Sequence, residues 1–169
     1  PDIAGTDAGV YSVVIRNSAG LTESTGVTVS VVQSVSIASQ PEAATVVLGG
    51  STLFQVAATG TEPISYQWSK DGAAIADATN STLTLTSIET TGGGKYKVTV
   101  SNAAGSETSD TVTLSVESPP VMTELTESLS AVEGESVELS VTAVGTEPIT
   151  YQWSKGGVVL DGATESTLS

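Results

Sequence analysis

The stretch Gly60–Lys70 reads GTEPISYQWSK, and it returns over Gly145–Lys155 as GTEPITYQWSK, with a single substitution. The two copies start 85 residues apart. Apolar and polar residues alternate in both, as Ile64, Tyr66 and Trp68 show in the first copy. Strict alternation indicates a β-strand that buries one face and exposes the other. The repeated unit therefore contains at least one half-buried strand.

Two further signatures recur at the same spacing of 85 residues. Gly9–Val13 matches Gly94–Val98, and Asn17–Gly20 matches Asn102–Gly105. The period is longer than the 20–50 residues or so of solenoid repeats, and it suits a small domain that folds by itself. The sequence predicts three repeats of one unit: the C-terminal part of a first in residues 1–33, a complete second in 34–117, and the N-terminal part of a third in 118–169.

The complete repeat predicts an all-β fold. Alternating apolar residues mark several short strands, and no apolar stripe with helical spacing interrupts them. Turn signals, such as Asp71-Gly72, separate the strands because Asp, Asn and Gly tolerate positive φ. Short strands and turns within 85 residues indicate an antiparallel β-sandwich, in tandem repeats. The apolar residues of these alternating strands are Phe54, Val56, Ile64, Tyr66, Trp68, Leu83, Leu85, Tyr96, Val98, Val100, Val112, Leu114 and Val116.

Composition narrows the function classes. The 169 residues include no cysteine and no histidine, which removes disulfides, thiolate nucleophiles, Cys/His zinc sites and His-dependent catalytic relays. The net charge of −14 disfavours nucleic acid and anionic membranes, whose recognition needs Lys and Arg. No apolar run approaches the roughly 20 residues of a membrane span. The sequence predicts a non-enzymatic protein without a cofactor, a nucleic-acid partner or a membrane-inserted segment.

Along the chain, a strand with a tryptophan (Trp68) is followed by Leu83-Thr84-Leu85, then by Gly-x-Tyr-x-Val and Asn-Ala-Ala-Gly. This order of motifs resembles the I-set immunoglobulin pattern over nearly the whole chain. It is similar to the cysteine-less tandem immunoglobulin-like repeats of large secreted or surface proteins of bacteria. The resemblance implies that Trp68 and Trp153 are the buried tryptophans of strand C. It also implies that Tyr96 and Tyr11 are the tyrosine-corner residues of strand F. Residues 1–33 would then hold strands F and G of the first repeat, and residues 118–169 strands A to E of the third.

The chain departs from this family pattern at the paired cysteines, because valines stand at their positions. The resemblance places Val56 and Val98 there in the middle repeat, with Val13 and Val141 as counterparts in the partial repeats. A disulfide closing about 42 residues would contribute on the order of 4 kcal/mol. Two buried valines each gain roughly 1.5–2 kcal/mol on leaving water, which nearly compensates. The implied core signature is Val56, Trp68, Leu83, Tyr96, Val98, Tyr11, Val13, Val141 and Trp153.

Acidic residues concentrate around the boundary between the second and third repeats. Hard cations take carboxylate oxygens, so calcium at this junction is one interpretation. A solvated acidic surface that keeps the protein soluble is the other, and the absence of an Asp-x-Asp-x-Asp loop favours it. The residues concerned are Glu117, Glu124, Glu127, Glu133, Glu135 and Glu138.

The repeats and their short connections predict a structural function. Residues 31–35 join two repeats without a Gly-rich spacer, and Pro119-Pro120 stiffens the next connection. We expect an extracellular or cell-surface fibre, stalk or adhesin shaft whose partners are neighbouring repeats of the same or adjacent chains. The alternative is a recognition module that binds cell-surface carbohydrate or protein through its loops. The partial repeats either belong to a longer array or complete each other between subunits.

Overall fold

The computed structural model describes residues 2–127 and 129–169. Strands make up 46% of it and helix 4%, so the all-β prediction is confirmed. Two short 3-10 turns, Gly5–Asp7 and Thr90–Gly92, supply the helical part. The strands are β1 (Gly9–Tyr11), β2 (Val14–Asn17), β3 (Gly20–Glu23), β4 (Val27–Val29), β5 (Ser36–Ser39), β6 (Ala44–Val47), β7 (Thr52–Gln55), β8 (Ala57–Thr59), β9 (Ser65–Lys70), β10 (Ala73–Ala74), β11 (Thr82–Leu85), β12 (Gly94–Asn102), β13 (Gly105–Thr108), β14 (Val112–Glu117), β15 (Val121–Leu125), β16 (Leu139–Val144), β17 (Ser154–Lys155), β18 (Val158–Val159) and β19 (Thr167–Leu168).

The chain divides into two compact units. The first comprises Pro1–Ala43, Leu53–Thr84 and Gly94–Thr113. In it β9 pairs antiparallel with both β10 and β12, and β12 also pairs with β13. Strands β5 and β8 form a separate antiparallel pair, as do β1 with β4 and β2 with β3. β11 pairs with β7 in a further two-stranded sheet.

Alternation along the strands builds the core of the first unit. Phe54 on β7 is buried, whereas its neighbours Leu53 and Gln55 are exposed. The Phe54 ring lies 6.2 Å from the Trp68 ring and 5.1 Å from the Tyr96 ring, measured between centroids. Aromatic pairs at such distances add to the free energy gained by burying their area. These ring contacts join β7 to β9 and β12. The two-stranded sheet β7–β11 therefore packs on the sheet that contains β9 and β12.

The second unit comprises Ala44–Thr52, Leu85–Gly93 and Leu114–Ser169. Here β6 runs parallel to β14, with Leu114 opposite Ala44. Strand β15 pairs antiparallel with β16, through an irregularity between Met122 and Glu124. Strand β16 also pairs with β19, and β17 pairs with β18.

The predicted turn at Asp71-Gly72 is confirmed. It joins β9 to β10, and both of its central residues have positive φ, 50° at Asp71 and 89° at Gly72. The Asp71 carboxylate accepts a hydrogen bond from the Lys95 backbone N–H at 2.8 Å and another from the Lys70 ammonium at 3.0 Å. These bonds fix a residue whose left-handed backbone conformation is otherwise unfavourable.

Hydrogen bonds recur at the spacing of the sequence repeat. The Trp68 indole N–H donates to the Asn80 carbonyl at 2.9 Å, and that of Trp153 donates to the Glu165 carbonyl at 2.9 Å. The Gln67 amide group donates to the Ile75 carbonyl at 2.8 Å, as that of Gln152 does to the Leu160 carbonyl. Equal local sequences have therefore formed equal local structures.

Candidate functional site

The first linker site consists of Gln33, Thr61 and Asn102, which lie together in the first unit. The Gln33 backbone N–H donates to the Thr61 hydroxyl oxygen at 2.8 Å, and the Thr61 N–H donates to the Gln33 carbonyl at 3.2 Å. The Asn102 side-chain amide donates to the same Gln33 carbonyl at 2.7 Å and to the Thr61 carbonyl at 2.9 Å. Three hydrogen bonds therefore hold the predicted linker segment against two loops, and the fourth joins the two loops to each other.

Gly60 allows this close approach. Its φ is 144°, and a Cβ built on it would lie 3.0 Å from the Ser34 carbonyl oxygen and 3.0 Å from the Val35 Cα. Any side chain at this position would therefore push the linker away from the loop. Glycine here is explained by both the backbone conformation and the lack of space.

The second linker site consists of Ser118 and Thr146 in the second unit. The Ser118 N–H donates to the Thr146 hydroxyl oxygen at 2.7 Å, and the Thr146 N–H donates to the Ser118 carbonyl at 2.9 Å. A Cβ at Gly145 would lie 3.0 Å from the Pro120 Cα. The same reciprocal pair, next to the same glycine, therefore serves both linkers.

A cleft of about 720 Å³ adjoins the second linker site. Its lining residues, among those that the structure describes, are uncharged, so the cleft suits neutral groups. Its walls combine apolar residues with three hydroxyl groups. The lining residues are Leu48, Thr90, Val116, Ser118, Pro119, Val121, Val144, Gly145 and Thr146.

The structure divides the predicted core signature between buried and exposed residues. Those of the middle repeat are buried, namely Val56, Trp68, Leu83, Tyr96 and Val98. Val141 and Trp153 are half-buried, and Tyr11 and Val13 are exposed. Among the described residues β1 pairs only with β4 and β2 only with β3, which leaves Tyr11 and Val13 without a covering layer. The Tyr11 hydroxyl nevertheless donates to the Asp7 carbonyl at 2.8 Å, a bond to the backbone four residues upstream.

Within residues 2–127 and 129–169, the pKa values of two titratable groups, Asp71 and Tyr96, are shifted. The Lys95 backbone N–H, and after it the Lys70 ammonium, lower the pKa of Asp71, because both hydrogen-bond to its ionised form. Burial raises the pKa of Tyr96, because removing water disfavours the phenolate.

The predicted acidic cluster lies in the second unit. Over residues 2–127 and 129–169 no three acidic side chains come together in a way that could hold a metal ion. The same ranges include no helix that is long and apolar enough to cross a membrane.

Comparison with known proteins identifies the fold. Residues 37–116 match the family model for the immunoglobulin domain. The chain carries an immunoglobulin-like domain. A solved titin fragment, I-band I67-I69, has the same fold: it superposes with a TM-score of 0.80 at 24% sequence identity, covering 94% of this chain and 59% of the titin one. The predicted immunoglobulin-like β-sandwich is confirmed.

Relatives of the immunoglobulin-like chain are much longer proteins. The basement membrane-specific heparan sulfate proteoglycan core protein of Mus musculus is 38% identical over 115 residues, 66% of this chain. Hemicentin-1 of Mus musculus is 31% identical over 160 residues, 90% of this chain. The chain spans only 3% of the length of either relative. Endoglucanase C of Cellulomonas fimi is 33% identical over 140 residues, 77% of this chain and 13% of that protein. The relatives therefore include both animal and bacterial proteins, and the bacterial source and the I-set subtype stay predictions.

Sequence reasoning missed the hydrogen-bonding role of the linker residues. The sequence shows Asn102 only as part of a stretch that repeats Asn17–Gly20, and in the structure its side-chain oxygen accepts from the Ala104 N–H at 2.9 Å. Its amide nitrogen also reaches Gln33, which is far away in sequence. The recurrence of Gly60-Thr61 as Gly145-Thr146 is the signal that could have pointed to these sites.

Proposed function

We propose that the chain is a non-enzymatic structural segment of an extracellular or cell-surface shaft, built from tandem immunoglobulin-like repeats with the boundaries 1–33, 34–117 and 118–169. The main support for this proposal is that both linkers are held by hydrogen bonds, Gln33 to Thr61 and Ser118 to Thr146. A shaft transmits position or force only if the connections between its repeats are fixed. A linker without such bonds would behave as a flexible tether.

The relatives support an extracellular location. One is the core protein of a basement-membrane proteoglycan by name, and another, DSCAML1 of Gallus gallus, is named as a cell adhesion molecule. A module in such a protein needs stability, solubility and regular spacing, and the net charge of −14 favours solubility. The partners of the shaft are then neighbouring repeats of the same or adjacent chains.

Amide hydrogen exchange tests the linkers directly. The Gln33 and Ser118 amides donate to Thr61 and Thr146, so we expect both amides to be protected in the intact chain. Thr61→Val removes the acceptor of Gln33, and the Gln33 amide should then exchange at least about tenfold faster, as expected for a loss of about 1.4 kcal/mol. Thr146→Val should do the same for the Ser118 amide.

The matched control is Thr59→Val, the same change two residues away on β8. Thr59 makes one long side-chain bond, to the Ser36 carbonyl at 3.5 Å, so its loss should leave the Gln33 amide unchanged. Unprotected Gln33 and Ser118 amides in the unmodified chain would show that the linkers are flexible, and the shaft proposal would fail.

Recognition of a carbohydrate or a protein surface is the second candidate, and the cleft beside the second linker site favours it. Its volume of about 720 Å³ lies in the range of small-ligand sites. A glycan array probed with the chain and with Val144→Trp, which fills the cleft, tests this function. Binding that Val144→Trp abolishes would establish recognition, whereas no binding would leave the structural function as the one supported.

A further inference from the structure

A small cleft with lysine side chains in its walls lies in the first unit, around a volume of about 300 Å³. All of its lining residues fall within residues 37–116, the stretch that matches the immunoglobulin domain. Every wall of the cleft therefore comes from one domain, and neither partial repeat contributes to it. The lining residues are Asp71, Gly72, Lys95, Lys97 and Thr111.

The chain's few positive charges concentrate around this cleft. The sequence has five Lys and Arg residues against nineteen Asp and Glu residues. Three of the five, Lys70, Lys95 and Lys97, lie on the adjacent strands β9 and β12. Alternate residues of a strand point to the same face, so the Lys95 and Lys97 side chains leave β12 on one side. The cleft is thus a positive site in an acidic chain.

The one carboxylate in the cleft is already compensated. Asp71 accepts from the Lys95 backbone N–H at 2.8 Å and from the Lys70 ammonium at 3.0 Å. Over residues 2–127 and 129–169 the Lys70–Asp71 contact is the one salt bridge, so the ammonium groups of Lys95 and Lys97 have no carboxylate partner there. Lys95 is exposed and Lys97 half-buried, so a ligand in solution can reach both.

The strand does not need these two lysines in order to form. In the first repeat the equivalent residues are Val10 and Ser12. Strand β1 nevertheless forms there and pairs antiparallel with β4. Lys95 and Lys97 are therefore available for a role other than folding.

The groups in the cleft select the chemistry of a ligand. Two ammonium groups attract an oxyanion, and the Thr111 hydroxyl can donate to it or accept from it. The lowered pKa of Asp71 keeps its carboxylate ionised at neutral pH, so this side of the cleft repels a bare anion and accepts hydrogen bonds from hydroxyl groups. A sugar that bears a carboxylate or a sulfate offers both an anion and hydroxyl donors. A long polyanion would also have to approach the rest of a chain with a net charge of −14.

We propose that this cleft binds a single acidic sugar residue, with its carboxylate or sulfate at the Lys95 and Lys97 ammonium groups and a hydroxyl donating to Asp71. The volume of about 300 Å³ lies at the lower end of the range of small-ligand sites. Hydrogen bonds between an ammonium group and an oxyanion are stronger than neutral ones. The site is separate from both linker sites, and it does not rest on the shaft function.

Titration of the ¹⁵N-labelled chain, followed by the NMR chemical shifts of its backbone amides, tests the site. Glucuronate supplies a carboxylate, glucose 6-sulfate supplies a sulfate, and glucose is the neutral control, all at equal ionic strength. We expect saturable shifts at Gly72, Lys95 and Lys97 with at least one acidic sugar, at millimolar concentrations, and none with glucose. The acidic sugar that binds more tightly identifies the anion. Added salt should weaken the binding, because it screens exposed charges.

The double variant Lys95→Val with Lys97→Ser installs the residues of the first repeat. It should weaken the binding at least about tenfold, because both charge-assisted hydrogen bonds are lost. Lys97→Gln keeps the length of the side chain and removes its charge, so it gives the same comparison if the double variant unfolds. The matched control is Lys155→Ala, which removes the same charge from a lysine outside the cleft and should leave the binding unchanged.

Three results would overturn the proposal. The first is that neither acidic sugar produces saturable shifts, and the second is that Lys155→Ala weakens binding as much as the double variant. The third is that acetate shifts the same amides as strongly as glucuronate, because the sugar hydroxyls would then contribute nothing. The linker amides report on the shaft proposal separately, since the site contains neither Gln33 nor Ser118.

Discussion

Trp68 and Trp153 stand in almost the same sequence and differ in burial. Both indoles donate to a backbone carbonyl twelve residues later, at 2.9 Å in each case. Trp68 has no exposed surface, whereas Trp153 is half-buried. Local sequence therefore determines the hydrogen bonds, and a strand distant in sequence determines the burial.

This difference separates two contributions to stability. A hydrogen bond that water can replace contributes a net stabilisation of about 1 kcal/mol. Complete burial of a large aromatic side chain contributes several times more. In the middle repeat the tryptophan has both the hydrogen bond and complete burial, whereas in the 118–169 segment it has mainly the hydrogen bond. Substitutions at equivalent positions should measure the second contribution by itself.

The largest expected difference is at the two tryptophans. Trp68→Ala should lower the free energy of unfolding by about 3–5 kcal/mol, because it leaves a cavity next to Phe54. Trp153→Ala should cost less than half as much, because part of its indole is already in water. Urea denaturation of both variants, followed by far-ultraviolet circular dichroism, gives the comparison. Equal losses would mean that burial of Trp68 adds nothing to its local hydrogen bond.

The same distinction explains how much the sequence could predict. Alternation correctly predicted that Phe54 and Val100 are buried, because the apolar face of a strand is a local property of the sequence. It could not predict the exposure of Val13, whose burial depends on a facing sheet. Nor could it place Asn102 against Gln33, because only the folded chain brings together residues so far apart in sequence.

Ser109 and Ser24 should show a smaller difference of the same kind. The buried Ser109 hydroxyl accepts from the Val98 N–H at 3.0 Å and donates to the Asp110 carbonyl at 2.9 Å. Ser24 accepts from the Val13 N–H at the same distance, but it is exposed. Ser109→Ala should cost about 1–3 kcal/mol, because the buried N–H loses its side-chain acceptor.

Ser24→Ala is the matched variant, and it should change the free energy of unfolding by no more than about 0.5 kcal/mol, because water reaches the Val13 N–H. Thermal unfolding of the two variants measures both values. If Ser24→Ala proved as damaging as Ser109→Ala, the hydroxyl would matter for the local turn and not for satisfying a buried group.

The smallest expected effect concerns Asp71, whose equivalent in the 118–169 segment is Gly156. Both residues have left-handed backbones, with φ of 50° and 59°, but only Asp71 holds the Lys95 N–H and the Lys70 ammonium. These bonds lower the pKa of Asp71 below that of the unfolded chain. The carboxylate therefore stabilises the fold above the unfolded pKa of about 3.9, and this contribution is lost as the pH falls through the lower, folded value.

Asp71→Asn keeps a residue that tolerates the left-handed backbone and an oxygen that can accept from the Lys95 N–H, but it removes the charge. The variant should be slightly less stable than the unmodified chain at neutral pH, and the two should converge as the pH falls through the lowered, folded pKa of Asp71. Melting temperatures from pH 2 to pH 7 measure this convergence.

Asp77→Asn is the control, at another left-handed position (φ 59°) where no described residue donates a hydrogen bond to the carboxylate. If the melting temperatures of Asp71→Asn and the unmodified chain differed by the same amount at every pH, the charge of Asp71 would have no effect on stability. The side chain would then act through its shape, because protonation of the carboxyl would change nothing.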